Sequence, residues 1–319
     1  MMLRNCRFYF RWTYLIAVLI VAACGAKQSK PTLVSMKVLD NYPSGSGLQP
    51  FNDKIYLVGD DASHLLIINK EFGILDSIKL FETPGSRIPK ETKPDIESIT
   101  QVKQNDSPLL LLTGSGSLSP YRNACWLVNP VTKETRQYQL DTFFQRLKNA
   151  GVTDLNIEGA TTTPVGIVLA SRGNKSFRKN FLIITSPRFW EKQSVADIKI
   201  IKAGANTDTS FFHGISGMDY SSKTDQLLLT ISSENTYTSY DDGAIGKSYL
   251  WVINDISSKR KLAAINPDRI IDLESIDNRF KAQKIESVCI IAEEKKQKQL
   301  VLAADDDKGH TVLFSMTLE

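Results

Sequence analysis

Three histidines and four cysteines in 319 residues leave little material for a soft-metal site. No Cys-x-x-Cys pair and no Cys/His ligand spacing occurs, which excludes a zinc-ribbon or zinc-finger pattern. Gly-x-Ser-x-Gly is absent, so no nucleophile elbow is indicated. Neither a phosphate-binding P-loop nor a dinucleotide fingerprint appears. Helical periodicity is almost missing. The one amphipathic stretch is "DTFFQRLKNAG", Asp141 to Gly151, where Phe143, Phe144 and Leu147 share a face, Asp141 is placed to cap the start and Gly151 to end it.

A charge excess of one sign is also lacking once the N-terminus is set apart. The chain holds 39 basic and 35 acidic residues. Residues 1–23 carry Arg4, Arg7 and Arg11 and no acid, which leaves 36 against 35. A near-neutral remainder argues against nucleic acid as a partner, which calls for a basic stripe.

Those first residues read as an address. The three arginines precede "WTYLIAVLIVAA", Trp12 to Ala23, an apolar run short for a bilayer span and suited to a signal-peptide core. The run ends Val21-Ala22-Ala23-Cys24, followed by Gly25. This resembles the bacterial lipobox, which implies cleavage after residue 23 and a lipid on Cys24. An ordinary secretory signal or a short anchor is the plainer alternative. Residues 24–31 then form a polar tether, and acyl chains on one residue anchor a protein to a membrane without a spanning helix. No Asp follows Cys24, so the enterobacterial sorting rule implies the outer membrane of a bacterial cell envelope, with either leaflet open. Cys6 leaves with the signal. Cys125 and Cys289 sit in apolar runs and are expected as buried thiols, although an envelope protein is free to form a disulfide.

From residue 32 onward the chain is built of short apolar runs separated by Gly, Asn, Asp, Ser and Pro, the pattern of many short strands. The runs repeat in units. One unit opens at "GSGL" from Gly45 and continues through "KIYLVGDD", "HLLIIN" and "ILDSIKL". Others open at "DIESI" from Asp95, "NIEGA" from Asn156, "GISGM" from Gly214 and "KIESV" from Lys284. In the fourth, the outer strand is expected at "RKLAAI". The last unit has three strands before Glu319, and a lone strand at "TLVSMKVLD", Thr32 to Asp40, is available to complete it. Closure of both chain ends into one sheet describes an all-β fold, a single β-propeller of four-stranded blades over residues 32–319. The count is five, or six if "RIIDLES" from Arg269 opens a degenerate unit. A β-sandwich pair is the alternative fold.

The combination of "DKIYLVGDDASHLLIIN", "KETKPDIESI", "NIEGATTT" and "KIESVCII…LAADDDKGH" resembles an uncharacterised family of bacterial propeller-type lipoproteins, and more distantly the esterase-like domain of phytase. The resemblance spans nearly the whole mature chain. It implies the propeller and, through the distant relatives, a possible hydrolase.

Alternating strands put the start of each inner strand and the loop between second and third strands on one face. Glu97, Glu158 and Glu286 are therefore expected beside the axis at one mouth of the channel, with Ser46 and Ser216 at the same place in the other units. The loops add Asp60 and Asp61, Arg172, Glu234, and Asp305 to Asp307. His64, His213 and His310 map to the same face, as do Lys90, Lys93, Lys281 and Lys284. Converging carboxylates suit a hard cation such as Ca²⁺. Lys93, Arg172 and Lys284 would hold an anionic group, and the histidines are the acid/base candidates. The opposing reading is structural: the three glutamates pair with Lys and Arg of neighbouring blades in a salt-bridge ring, and the Asp-rich loops are ordinary turns. Three functions follow: a lipid-anchored propeller binding a small molecule or envelope protein at its mouth, a calcium-assisted hydrolase of phosphate or carboxylic esters, or a structural envelope module.

Overall fold

The computed structural model describes residues 30–83, 88–204, 212–234, 237–238, 245–294, 297–306 and 309–319. Cys24, the signal segment and Asp307 lie outside the described residues. The strands form five sheets. β1 (Thr32–Leu39) precedes blade 1, which is β2 (Gly45–Phe51), β3 (Lys54–Gly59), β4 (His64–Ile68) and β5 (Ile74–Lys79). Blade 2 is β6 (Ile96–Gln104), β7 (Ser107–Gly114), β8 (Ala124–Val128) and β9 (Thr135–Gln139), followed by helix α1 (Asp141–Asn149). Blade 3 is β10 (Ile157–Thr163), β11 (Gly166–Ser171), β12 (Asn180–Thr185) and β13 (Ile198–Ala203). Blade 4 begins with β14 (Phe212–Ser221), β15 (Gln226–Glu234) and β16 (Ile245–Ile253). After these come β17 (Ala264–Ile265) and β18 (Arg269–Asp272), then β19 (Lys284–Glu294), β20 (Gln297–Asp305) and β21 (Thr311–Leu318) of blade 5.

The ring is a five-bladed β-propeller, closed as the sequence predicts: β1 pairs antiparallel with β21, from Thr32 opposite Thr317 to Leu39 opposite Thr311. β1 thereby covers the edge that β21 would otherwise leave open. One outer strand differs from expectation. Only Ala264 and Ile265 of "RKLAAI" are extended, and they pair in parallel with β13 of blade 3. The outer strand of blade 4 is β18, antiparallel to β16. "RIIDLES" thus completes blade 4 and opens no sixth blade. The short parallel addition covers the outer edge of blade 3.

Apolar side chains fill five inter-blade layers, one between each neighbouring pair. Both faces of every sheet are therefore buried, which is why the middle strands read as continuous apolar runs rather than alternating ones. α1 wedges Phe143, Phe144 and Leu147 into the layer between blades 2 and 3. Asp141 lies in its first turn and accepts from Asn123 Nδ2 at 2.8 Å instead of capping. Gly151, at φ +107°, ends the helix as expected. Cys125 and Cys289 are free and buried in non-adjacent blades; burial pushes both thiols up.

The five inner strands share one irregularity. Pairing between inner and second strand slips by one residue at the same place in every blade, skipping Ser46, Glu97, Glu158, Ser216 and Glu286. Each is the extra residue of a β-bulge, a device that re-aims a side chain. A small residue follows each: Gly47, Ser98, Gly159, Gly217 and Ser287. At the glycines of this set neighbouring inner strands pack close together. A Cβ on Gly217 would lie 2.6 Å from the Glu286 carbonyl oxygen, and one on Gly159 would lie 3.2 Å from the Gly217 carbonyl carbon.

Candidate functional site

Where the bulged residue is serine, it ties blades together. Ser46 donates to the Ile96 carbonyl at 2.6 Å, and Ser216 donates to the Ile285 carbonyl at 2.6 Å. Each bond secures the residue just before the next blade's bulged glutamate. Where the residue is glutamate, the side chain enters a charged mouth instead.

One half of this mouth gathers on Lys93, buried at 8% exposure. Its Nζ binds Asp60, reaches Asp95 Oδ1 at 3.1 Å and lies 3.4 Å from Asp61 Oδ1. Asp95 also accepts from Arg122 Nη1 at 2.6 Å and from Ser115 Oγ. Oxygens of Asp60, Asp95 and Glu97 all lie within 4.8 Å of one another. In the other half, Arg172 Nη2 is 3.1 Å from Glu234 Oε2, and Arg172 Nη1 donates to Ser232 Oγ at 2.8 Å. Lys284 Nζ bridges Glu234 Oε1 and Glu286 Oε1, each at 2.9 Å. These ion pairs span blades 3, 4 and 5.

Lysine and arginine do not balance the mouth. Among the described residues joined in this network, seven carboxylates (Asp60, Asp61, Asp95, Glu97, Glu158, Glu234, Glu286) face four cations (Lys93, Arg122, Arg172, Lys284). Among the described residues, Glu97 and Glu158 have no ion pair, and Glu158 accepts its hydrogen bond from Asn156 Nδ2 at 2.6 Å. Glu286 Oε2 and Asp60 Oδ1 are buried without a hydrogen-bond partner. The carboxyls respond as crowded acids do. Burial raises Glu97 well above the usual range, and Glu158, Asp60 and Asp95 push it further. Burial lifts Glu158 to about 8 against the pull of Arg172, and lifts Asp60 to about 6 against Lys93. Glu286 is raised by burial too, against Lys284 and Arg172. Glu97 and Glu158 act on each other across the junction of blades 2 and 3, so the halves form one electrostatic unit.

The expected glutamates, Asp60, Asp61, Lys93, Arg172 and Lys284 are thus brought together. The histidines have neighbours of their own. His64 packs edge-on against Tyr42 at 5.2 Å, with burial lowering its pKa. His213 lies 5.0 Å from the Tyr249 ring, in a separate cavity that also takes Lys281. Nδ1 of His310 bonds Asp306 Oδ2 at 2.7 Å, and its backbone N–H donates to Asp306 Oδ1 at 3.0 Å, so the Asp306 loop holds its own histidine. Lys90 contributes its carbonyl to Arg122 Nη2 at 3.2 Å. Asp95 and Arg122 join the mouth although no motif marks them. Asp95 stands two residues before Glu97, in a left-handed conformation at φ +56°. Arg122 comes from the Gly/Ser-rich loop after β7.

Comparison with known proteins adds a family. No curated protein matches. Among solved structures, a glutaminyl cyclase of Myxococcus xanthus is 7% identical, with 91% of this chain and 97% of that one covered at a TM-score of 0.47. A catalytically inactive virginiamycin B lyase of Staphylococcus aureus, solved with quinupristin, is 13% identical, covering 89% and 99% at a TM-score of 0.43. A putative exported protein of Bacteroides fragilis is 7% identical, covering 90% and 94% at 0.38. No role is carried over from these. A family model does match residues 41–318, nearly all of the propeller. The chain belongs to DUF6929, a family of unknown function.

Proposed function

We propose that this chain is a lipid-anchored propeller of the bacterial cell envelope that binds a hard cation, Ca²⁺ by its donor set, at the carboxylate mouth, and with it a small ligand or partner. The observation that carries the reading is the unpaired state of Glu97 and Glu158 among the described residues, beside acids already matched to Lys and Arg. A salt-bridge ring built only for stability has no use for surplus carboxylates drawn away from water, Glu158 buried and Glu97 half-buried, because each costs free energy. All-oxygen donors on loops and bulges favour a hard cation over a soft one. The ion pairs of Lys284 and Arg172 are ring-building contacts, and they leave the surplus acid in place.

The two readings of Glu97 give opposite signs. If Glu97 serves a cation site, Glu97→Gln relieves repulsion, so the variant should melt at or above the parent in chelator. It should then lose most of the calcium-induced rise in melting temperature, and Glu97→Gln with Glu158→Gln should lose all of it. A parent with no calcium response, or a Glu97→Gln variant destabilised in chelator, would sink the cation reading and leave the structural ring.

A lipid on Cys24 would set which face of the ring the membrane sees. β1 runs toward the mouth, since Leu39 lies opposite Thr311 at the start of β21. Thr32 therefore begins on the opposite face. A tether over residues 24–31 reaches at most about 28 Å, so a lipid on Cys24 would turn the carboxylate mouth away from the bilayer. Expressed in a bacterium, the full chain should incorporate labelled palmitate and sediment with membranes, and Cys24→Ser should do neither. Absence of the label from the parent refutes lipidation.

A further inference from the structure

A cavity of about 700 Å³ opens on the face opposite the carboxylate mouth, within the size range of small-molecule sites. It is lined by the far ends of the inner strands of blades 1 to 4, by the Pro164–Val165 hairpin and by Trp190. Its chemistry is unlike that of the mouth. The polar groups are mostly neutral, hydroxyls and carboxamides such as Thr100, Thr161, Thr162 and Gln101. Two residues of the wall carry charge, Asp219 and Lys103. Asp219 is already engaged: its Oδ2 accepts from the Ile290 backbone N–H at 2.7 Å, and its Oδ1 accepts from the Tyr220 N–H at 2.7 Å. It ties blade 4 to blade 5 and has little left for a cation. Lys103 is exposed, so an anion would meet one solvated ammonium, worth little. Apolar surface comes from Pro164, Val165 and Pro187.

We propose that this cavity binds an uncharged, hydroxyl-rich small molecule of the saccharide or polyol class. The Thr162 hydroxyl donates to the Gln101 carbonyl at 2.7 Å and so faces the cavity as an acceptor, while the Gln101 carboxamide donates and accepts, matching a ligand whose own hydroxyls do both. The apolar side suits the C–H face of a sugar ring. Nothing in this depends on a cation at the other mouth.

Saturation-transfer NMR on the mature protein tests it, with glucose, N-acetylglucosamine and maltose as neutral probes and glucose 6-phosphate and glucosamine as charged ones. At least one neutral probe should bind with a dissociation constant of about 1 mM or tighter, in calcium and in chelator alike. Thr162 is an exposed wall residue whose hydroxyl donates to the Gln101 carbonyl at 2.7 Å, so Thr162→Trp should lower the melting temperature by no more than about 3 °C while weakening binding at least about tenfold by filling the site. Gln101→Ala, which removes an amide without adding bulk, should weaken the same probe by a smaller factor. The proposal is overturned if no neutral probe binds, if a charged probe binds better, or if Thr162→Trp binds as the parent does.

Discussion

Replacing Lys93 with methionine should destabilise the ring by about 3–5 kcal/mol near neutral pH, the usual cost of removing one partner of a buried ion pair. The size follows from what the ammonium touches. It is buried, and three carboxylates converge on it from the β3–β4 loop and from Asp95. Burial alone would lower its pKa, but Asp60, Asp95, Glu97 and Asp61 outweigh that and raise it, so the lysine stays charged. Methionine keeps the stem packed and removes only the charge, leaving the acids to repel one another. For a domain of this size the loss corresponds to a fall in melting temperature of roughly 10 °C. The defect should shrink toward about pH 5, where Asp60 gains a proton and the repulsion fades. Millimolar calcium should restore part of the stability, and more in this variant than in the parent, because the vacated position is ringed by the close oxygens of Asp60, Asp95 and Glu97. Differential scanning calorimetry across that pH range reads all of this. A loss under about 1 kcal/mol, smaller than a buried pair allows, would show that Lys93 does not hold the mouth together.

The contrast between Lys93 and Asp95 shows what a sequence makes visible. The five units were legible because each repeats an apolar strand pattern and a polar start, and closure by Thr32–Leu39 was legible because the last unit came one strand short. The mouth was legible for the same reason, since antiparallel alternation alone puts Glu97, Glu158 and Glu286 on one face. The bulge is not legible in one strand, because a slip in pairing belongs to two strands at once. Its trace was present as the small residue after every bulged position, Gly47, Ser98, Gly159, Gly217 and Ser287. Arg122 was hidden because its path to Asp95 runs through a loop whose course no period describes. "RKLAAI" and "RIID" read alike as outer strands because both are short and partly apolar. The choice between them depends on whether β13 offers an open edge, which is a property of the assembled ring.

Stability of the parent without divalent cations should fall as pH rises from about 5 to about 8, at up to about 1.4 kcal/mol per pH unit for each proton released. The sign comes from the direction of the shifts. Glu158 at about 8, Asp60 at about 6, and Glu97 and Glu286 raised as well all hold protons in the folded ring that the unfolded chain has already given up. Raised carboxyls contribute stability that is full below the unfolded value and lost as pH climbs through the folded one. Because these acids act on one another, the decline should be spread over the interval rather than stepped at a single value. Half-buried Asp277, held at about 2 by Arg279, and exposed Asp268, lowered by Lys259, act in the opposite sense at the acid end. The stability maximum should therefore fall between about pH 4.5 and pH 6, lower than a chain with ordinary carboxyls would give. A bound cation replaces the shared protons, so saturating calcium should flatten the decline above about pH 6, with chemical denaturation at fixed temperature as the readout. A structural ring makes the other prediction: with every acid paired, stability would hold or rise across the same interval, and calcium would leave the profile unchanged. The slope between pH 6 and 8 thus decides whether the bulged glutamates store charge for a ligand or only brace the blades.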